Sequence, residues 1–120
     1  MNPNSKQKSH SLRPAERLKS PERVSDVFKN GKRIAAYPLS MMLAPGEGSV
    51  HRVAFAVPKR KIRKAVHRNL IKRRMREAYR THKHLLPEGP PMDMVLLYQA
   101  QTQMEFQALV ESLTRILAKL

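Results

Sequence analysis

Cations at helical spacing are the residues best suited to chemistry in this chain. Arg68, Asn69, Lys72, Arg73, Arg76 and Arg80 fall on one arc of a helix at about 100° per residue. Beside them runs an apolar stripe of Ile71, Met75, Ala78 and Tyr79, at i, i+4, i+7 and i+8. Guanidinium groups clamp phosphate oxygens at two points, and lysine adds a compact charge. Asn69 both donates and accepts, which suits a base edge or a sugar hydroxyl. Residues 59–83 hold 12 of the 24 Lys and Arg residues and one acid, Glu77. No local set of carboxylates neutralises such a row, so an external polyanion is the expected partner. Arg74 falls off the main band and reads as solvated.

Other chemistries lack their residues. The nine Asp and Glu are scattered from Glu16 to Glu111, so no carboxylate cluster for two-metal cleavage is visible. His82 and His84 stand two apart, on different faces of a helix, and there is no cysteine to complete a metal site. His67, next to Arg68, reads as solvated or phosphate-adjacent. The chain has 120 residues and a net charge of +15, which bounds it to one basic domain. No apolar run approaches the roughly 18 residues of a membrane span. The N-terminus has no apolar segment of the secretory type. A cytoplasmic, soluble, polyanion-binding domain is expected, with nucleic acid the first candidate partner and an anionic membrane surface the second.

Several elements must position the cations. Residues 1–11 read as a disordered basic arm, and 12–120 as one domain. Pro14 opens a short helix over residues 15–19. Ser20-Pro21-Glu22 starts a second helix, with Val24, Val27 and Phe28 on one face and Asn30-Gly31 as its stop. Residues 32–44 are extended and interrupted at Pro38. After the turn at 45–48, residues 50–57 alternate, with Val53, Phe55 and Val57 on one face. The two runs flank a short turn, so they are expected to pair as an antiparallel hairpin. The basic helix spans about 63–84. Residues 92–98 form a strand buried on both faces, parallel to and next to 50–57. Residues 103–120 are an amphipathic helix that Thr102 can cap. Helices packed on a sheet give an α+β fold.

With these residues placed, the chain resembles the protein subunit of bacterial ribonuclease P. Lys64-Ala65-Val66, Arg68-Asn69, Lys72-Arg73 and Arg76-Glu77 match that family's basic-helix motif. Arg17-Leu18-Lys19 with Val27-Phe28-Lys29 and Gly31 matches its first helix, and the later strand and closing helix match too. The chain departs from the pattern at Leu70, where the motif has a third Arg-Asn-Arg residue. It departs again at Val24 and Met42, where aromatics are common, and in the loop at 58–63, which lacks small residues.

The resemblance implies an αβββαβα two-layer sandwich, like the second domain of ribosomal protein S5. Its βαβ crossover around the basic helix would be left-handed, against the usual rule. It implies binding of the catalytic RNA through Lys64, Arg68, Asn69, Lys72, Arg73, Arg76 and Arg80. It implies a cleft for the 5′ leader of precursor tRNA at Val24, Phe28, Arg33, Met42, Lys59, Arg60 and Lys61. With aromatics missing at Val24 and Met42, cations carry more of the leader binding, and restoring aromatics there should tighten it. The RNA, with its Mg²⁺, would cleave the phosphodiester; the protein would supply no catalytic residue and no metal ligand. RNA, rather than DNA or a membrane, would be the partner. Two alternatives stay open: a structural RNA-binding protein of the ribosomal type, and an amphipathic helix on anionic membranes.

Overall fold

The structure is a computed structural model that describes residues 12–120. The arm expected at 1–11 lies outside the described residues. Helix α1 (Pro21–Asn30) begins where expected: the Ser20 hydroxyl accepts from the Arg23 amide at 3.3 Å, and Pro21 occupies the first turn. It ends at Gly31. A Cβ there would lie 2.5 Å from the Val27 carbonyl oxygen and 2.8 Å from that of Leu43, so only glycine lets the helix end press this close to the sheet.

Strands β1 (Lys32–Ala36) and β2 (Leu39–Pro45) are separated at Pro38, which follows a cis peptide bond. Strand β3 (Arg52–Ala56) leads into helix α2 (Ala65–His82), then β4 (Met92–Tyr98) and helix α3 (Phe106–Ala118). The sheet order is β1-β2-β4-β3. The β1/β2 and β2/β4 pairs are antiparallel, and β3/β4 is parallel, with Val53 opposite Met94 and Phe55 opposite Leu96. The element order αβββαβα and the α+β class are those expected.

The expected hairpin between residues 32–44 and 50–57 does not form. Strand β4 lies between β2 and β3. Its side chains from Asp93 to Tyr98 are all buried, and so are those of Leu39 to Met42 on β2. Strands apolar on both faces belong in the middle of a sheet, and the less apolar β3 is left at the edge. The helix expected at 15–19 is also absent. A single 3₁₀ turn covers Pro14–Glu16, after which Arg17 runs extended and bridges Val53 in parallel. The Leu18 amide donates to the Val53 carbonyl at 3.0 Å. Pairing with an open strand edge outweighed local helix preference.

The sheet buries both faces. Met41, Val53, Met94, Leu96 and Tyr98 pack with Ile71, Met75 and Tyr79 of α2 and Leu109, Leu113 and Ile116 of α3. On the other face Met42, Val95 and Leu97 pack with Leu18 and with Val27 of α1. Helix α1 therefore sits opposite the other two helices. Thr102 does not cap α3, which starts three residues later than expected, with Glu105 at its cap position. Instead the Tyr98 hydroxyl organises the turn, donating to the Thr102 carbonyl at 2.5 Å and accepting from the Met104 amide at 3.0 Å.

Candidate nucleic-acid interface

Helix α2 docks through the stripe read from the sequence: Ile71, Met75, Ala78 and Tyr79 are its buried residues. Burial pushes the Tyr79 hydroxyl's pKa up, so it stays neutral. Docking turns the cationic arc outward. Among the described residues, no carboxylate lies within ion-pair distance of Lys64, Lys72, Arg73 or Arg76. The Arg76 guanidinium lies 5.9 Å from the centre of the Phe55 ring, which meets Tyr79 edge-on at 6.0 Å. Aromatic contact holds this cation in place without cancelling its charge.

Two members of the predicted row are partly engaged. Arg80 pairs with Glu77, the one acid of the basic run, and its hydrogen bond lowers the Glu77 pKa. Arg68 turns back on the loop before the helix: its Nη1 donates to the Ile62 carbonyl at 3.0 Å and the Arg63 carbonyl at 2.5 Å. Asn69 is exposed beside them.

The fold adds two cations that the sequence reading left out of the site. Arg17 and Lys19 line a cleft of about 330 Å³ together with Lys72, Arg76, Leu18 and Phe55, and no acid borders it. They arrive there because residues 17–18 pair with the edge of β3. Their signal was the alternation Arg17-Leu18-Lys19, in which Leu18 is buried and both cations are exposed.

The seven residues expected at a leader cleft are not gathered in one place. Val24, partly buried on α1, packs against the core beneath that helix, to which Met42, 3% exposed, belongs. Phe28 is on the same helix but 48% exposed, so its ring is not core. Arg33 pairs in register with Met42 on β1, one edge of the sheet. Lys59, Arg60 and Lys61 follow β3, the opposite edge. Lys61 lines a separate cleft with Lys64 and His67.

Among the described residues five carboxylates are bound by cations: Glu16 by Lys83, Asp26 and Glu47 by Arg23, Glu77 by Arg80, and Asp93 by Arg23 and Arg52. No group of three His, Cys, Asp or Glu among the described residues is arranged to hold a metal ion. No helix among them is long and apolar enough to cross a membrane. A four-stranded α+β domain whose helix α2 carries Lys72, Arg73 and Arg76 with no carboxylate among the described residues in ion-pair distance has the electrostatic footprint of a polyanion-binding module.

The family follows from the sequence and the fold together. Residues 12–120 match the family model described as Ribonuclease P, and the chain belongs to that family. A ribonuclease P protein component of Porphyromonas gingivalis is 44% identical over 80 residues, covering 62% of this chain and 57% of that protein. The matched stretch is thus little more than half that relative's length. The component from Photorhabdus laumondii is 31% identical over 101 residues, covering 83% of this chain and 82% of its own. The RNase P protein of Staphylococcus aureus superposes with a TM-score of 0.73 at 25% identity, over 88% of this chain and 94% of that one. That of Thermotoga maritima gives 0.74 at 24% identity, over 88% and 97%, a likeness of fold.

Proposed function

We propose that this chain is the protein subunit of a ribonuclease P holoenzyme, which removes the 5′ leader from precursor tRNA in the cytoplasm. One observation carries the reading beyond family membership: Lys72, Arg73 and Arg76 stand on a helix locked by its apolar face, with no carboxylate among the described residues in ion-pair distance. A rigid row of cations binds a phosphate backbone without paying to order itself first. Lys64, Arg68, Asn69 and Arg80 extend the row in the contact to the catalytic RNA. Arg17 and Lys19 widen it across the β3 edge.

The leader lies against α1, where the exposed Phe28 ring offers a stacking surface that tolerates any base. Arg33 and the cations of the loop at 59–61 flank it from opposite sheet edges. Val24 packs from α1 against the cluster of Met42, Val95 and Leu97 that forms the floor beneath the helix. Mg²⁺ and the bond-breaking chemistry belong to the RNA partner; the described carboxylates offer the ion no clustered ligand set.

The test is reconstitution. Purified chain is added to the catalytic RNA at low Mg²⁺, and cleavage of precursor tRNA is followed. Stimulated cleavage, with tighter binding of precursor than of mature tRNA, is expected. Equal affinity for the two would point to a structural RNA-binding role of the ribosomal type.

A further inference from the structure

A second cationic cleft, of about 550 Å³, opens at the start of α2, where Lys61, Arg63, Lys64 and His67 face Gln101 and Gln103 of the β4–α3 loop. It shares no residue with the cleft that holds Lys72 and Arg76. Lys64 is the N-cap of α2, and Arg76 lies 12 residues further on, about 18 Å along the helix axis.

The cleft is built rather than draped. The Lys61 and Ile62 amides both donate to the Pro58 carbonyl, at 3.0 and 3.1 Å, and Ile62 is buried. The Arg68 guanidinium then clamps the Ile62 and Arg63 carbonyls from the first turn of α2. The chain is therefore fixed on both sides of the three cations. No acid lines the cleft, so its charges repel one another until an anion enters. The two glutamines are exposed, and their amides donate and accept. That pairing of fixed cations with amides suits a ribose-phosphate: phosphate oxygens to Lys61, Arg63 and Lys64, and a 2′-hydroxyl to Gln101 or Gln103.

We infer that this cleft is a separate RNA-backbone site in which the β4–α3 loop reads the ribose. The inference rests on the RNA-binding reading above and adds residues from a part of the chain that the basic motif does not reach. The backbone comes either from the catalytic RNA or from the precursor tRNA.

The full chain carrying Gln101→Glu and Gln103→Glu places carboxylates against the cations at exposed positions. Its affinity is measured for the catalytic RNA alone, and the affinity of the reconstituted complex is measured for precursor tRNA. A loss of roughly tenfold or more in the first supports the site and assigns it to the catalytic RNA; the same loss in the second alone assigns it to the precursor. Arg76→Glu serves as the comparison. If Arg76→Glu weakens RNA binding and the double variant stays within twofold of the parent in both assays, the second site is wrong and the RNA-binding reading stands. If neither variant weakens binding, both readings fall. Should the double variant melt early, Gln103→Cys replaces it, since the chain has no other cysteine. A photo-crosslinker on that thiol should mark a discrete nucleotide in the holoenzyme, and no crosslink would overturn the site.

Discussion

Arg23 on α1 and Asp93 on β4 form an ion pair across 70 residues of chain, Nε to Oδ2 at 2.9 Å. Asp93 is fully buried and also takes two hydrogen bonds from Arg52, at 2.9 and 2.8 Å, and one from the Glu47 amide at 3.3 Å. Arg23 reaches on to the Pro45 carbonyl at 2.7 Å. This knot fixes α1 on its face of the sheet, and with it the place of Phe28. Each partner of Asp93 comes from a different element, so the knot ties helix, strand and loop to the centre of the sheet.

The knot makes stability depend on acid. Burial alone would raise the Asp93 pKa, but the Arg52 and Arg23 guanidiniums and the Glu47 amide outweigh it and hold the carboxyl at about 2, below its ordinary 3.8. A depressed carboxylate adds stability that is complete above pH ~4 and lost as pH falls through about 2, a contribution of about 2 kcal/mol. Denaturation midpoints taken from pH 5 down to 2 should fall accordingly. Asp93→Asn should be flatter in that window and about 3–5 kcal/mol less stable at neutral pH, because two arginines lose their counter-charge.

Lys72→Ala and Arg73→Ala should each weaken RNA binding and reduce the log–log salt slope by about one unit or less. Their melting temperatures should match the parent, since neither side chain has an ion-pair partner among the described residues. Arg76→Ala should show the same salt effect with a stability loss of about 0.5–1 kcal/mol from its contact with Phe55. A slope equal to the parent's would remove that residue from the contact set.

Glu77→Gln tests the one acid in the row. It releases Arg80 from its neighbour and removes a charge that opposes the phosphates. RNA affinity should rise and its salt dependence should steepen, at a stability cost of about 0.3–0.5 kcal/mol for the lost helical pair. Filter binding across a salt series reads both, and weaker binding would contradict the outward role given to Arg80.

Phe28→Ala separates stacking from packing. With the ring 48% exposed, little core is lost. Binding of precursor tRNA by the reconstituted holoenzyme should weaken by about 1–3 kcal/mol, while mature tRNA binds as before. Equal loss for both RNAs would place Phe28 outside the leader path.

Met42→Tyr should fail as a way to restore an aromatic. The side chain is buried against Val27 and Val95, so a larger ring overpacks the site and costs about 1–3 kcal/mol. Urea denaturation would detect the loss, and tighter leader binding without it would refute the burial assignment.

The sequence by itself determined whatever depends on local period. The apolar stripe of α2, the cation band beside it, the Ser20-Pro21 start and the doubly buried β4 are all consequences of side-chain spacing within one segment. The family motif lay within one helix, so it too was legible. Only the tertiary structure decided which segments meet. It inserted β4 between β2 and β3, drew Arg17 and Lys19 to the β3 edge, and turned Arg68 back onto its own loop. It also buried Met42, which was read as a cleft residue, and left the Phe28 ring exposed. The physical reason is that strand order and burial are settled by competition among all segments for the same interior. A hairpin with a short turn is the cheapest pairing locally, but burying the most apolar strand at the centre of the sheet gains more.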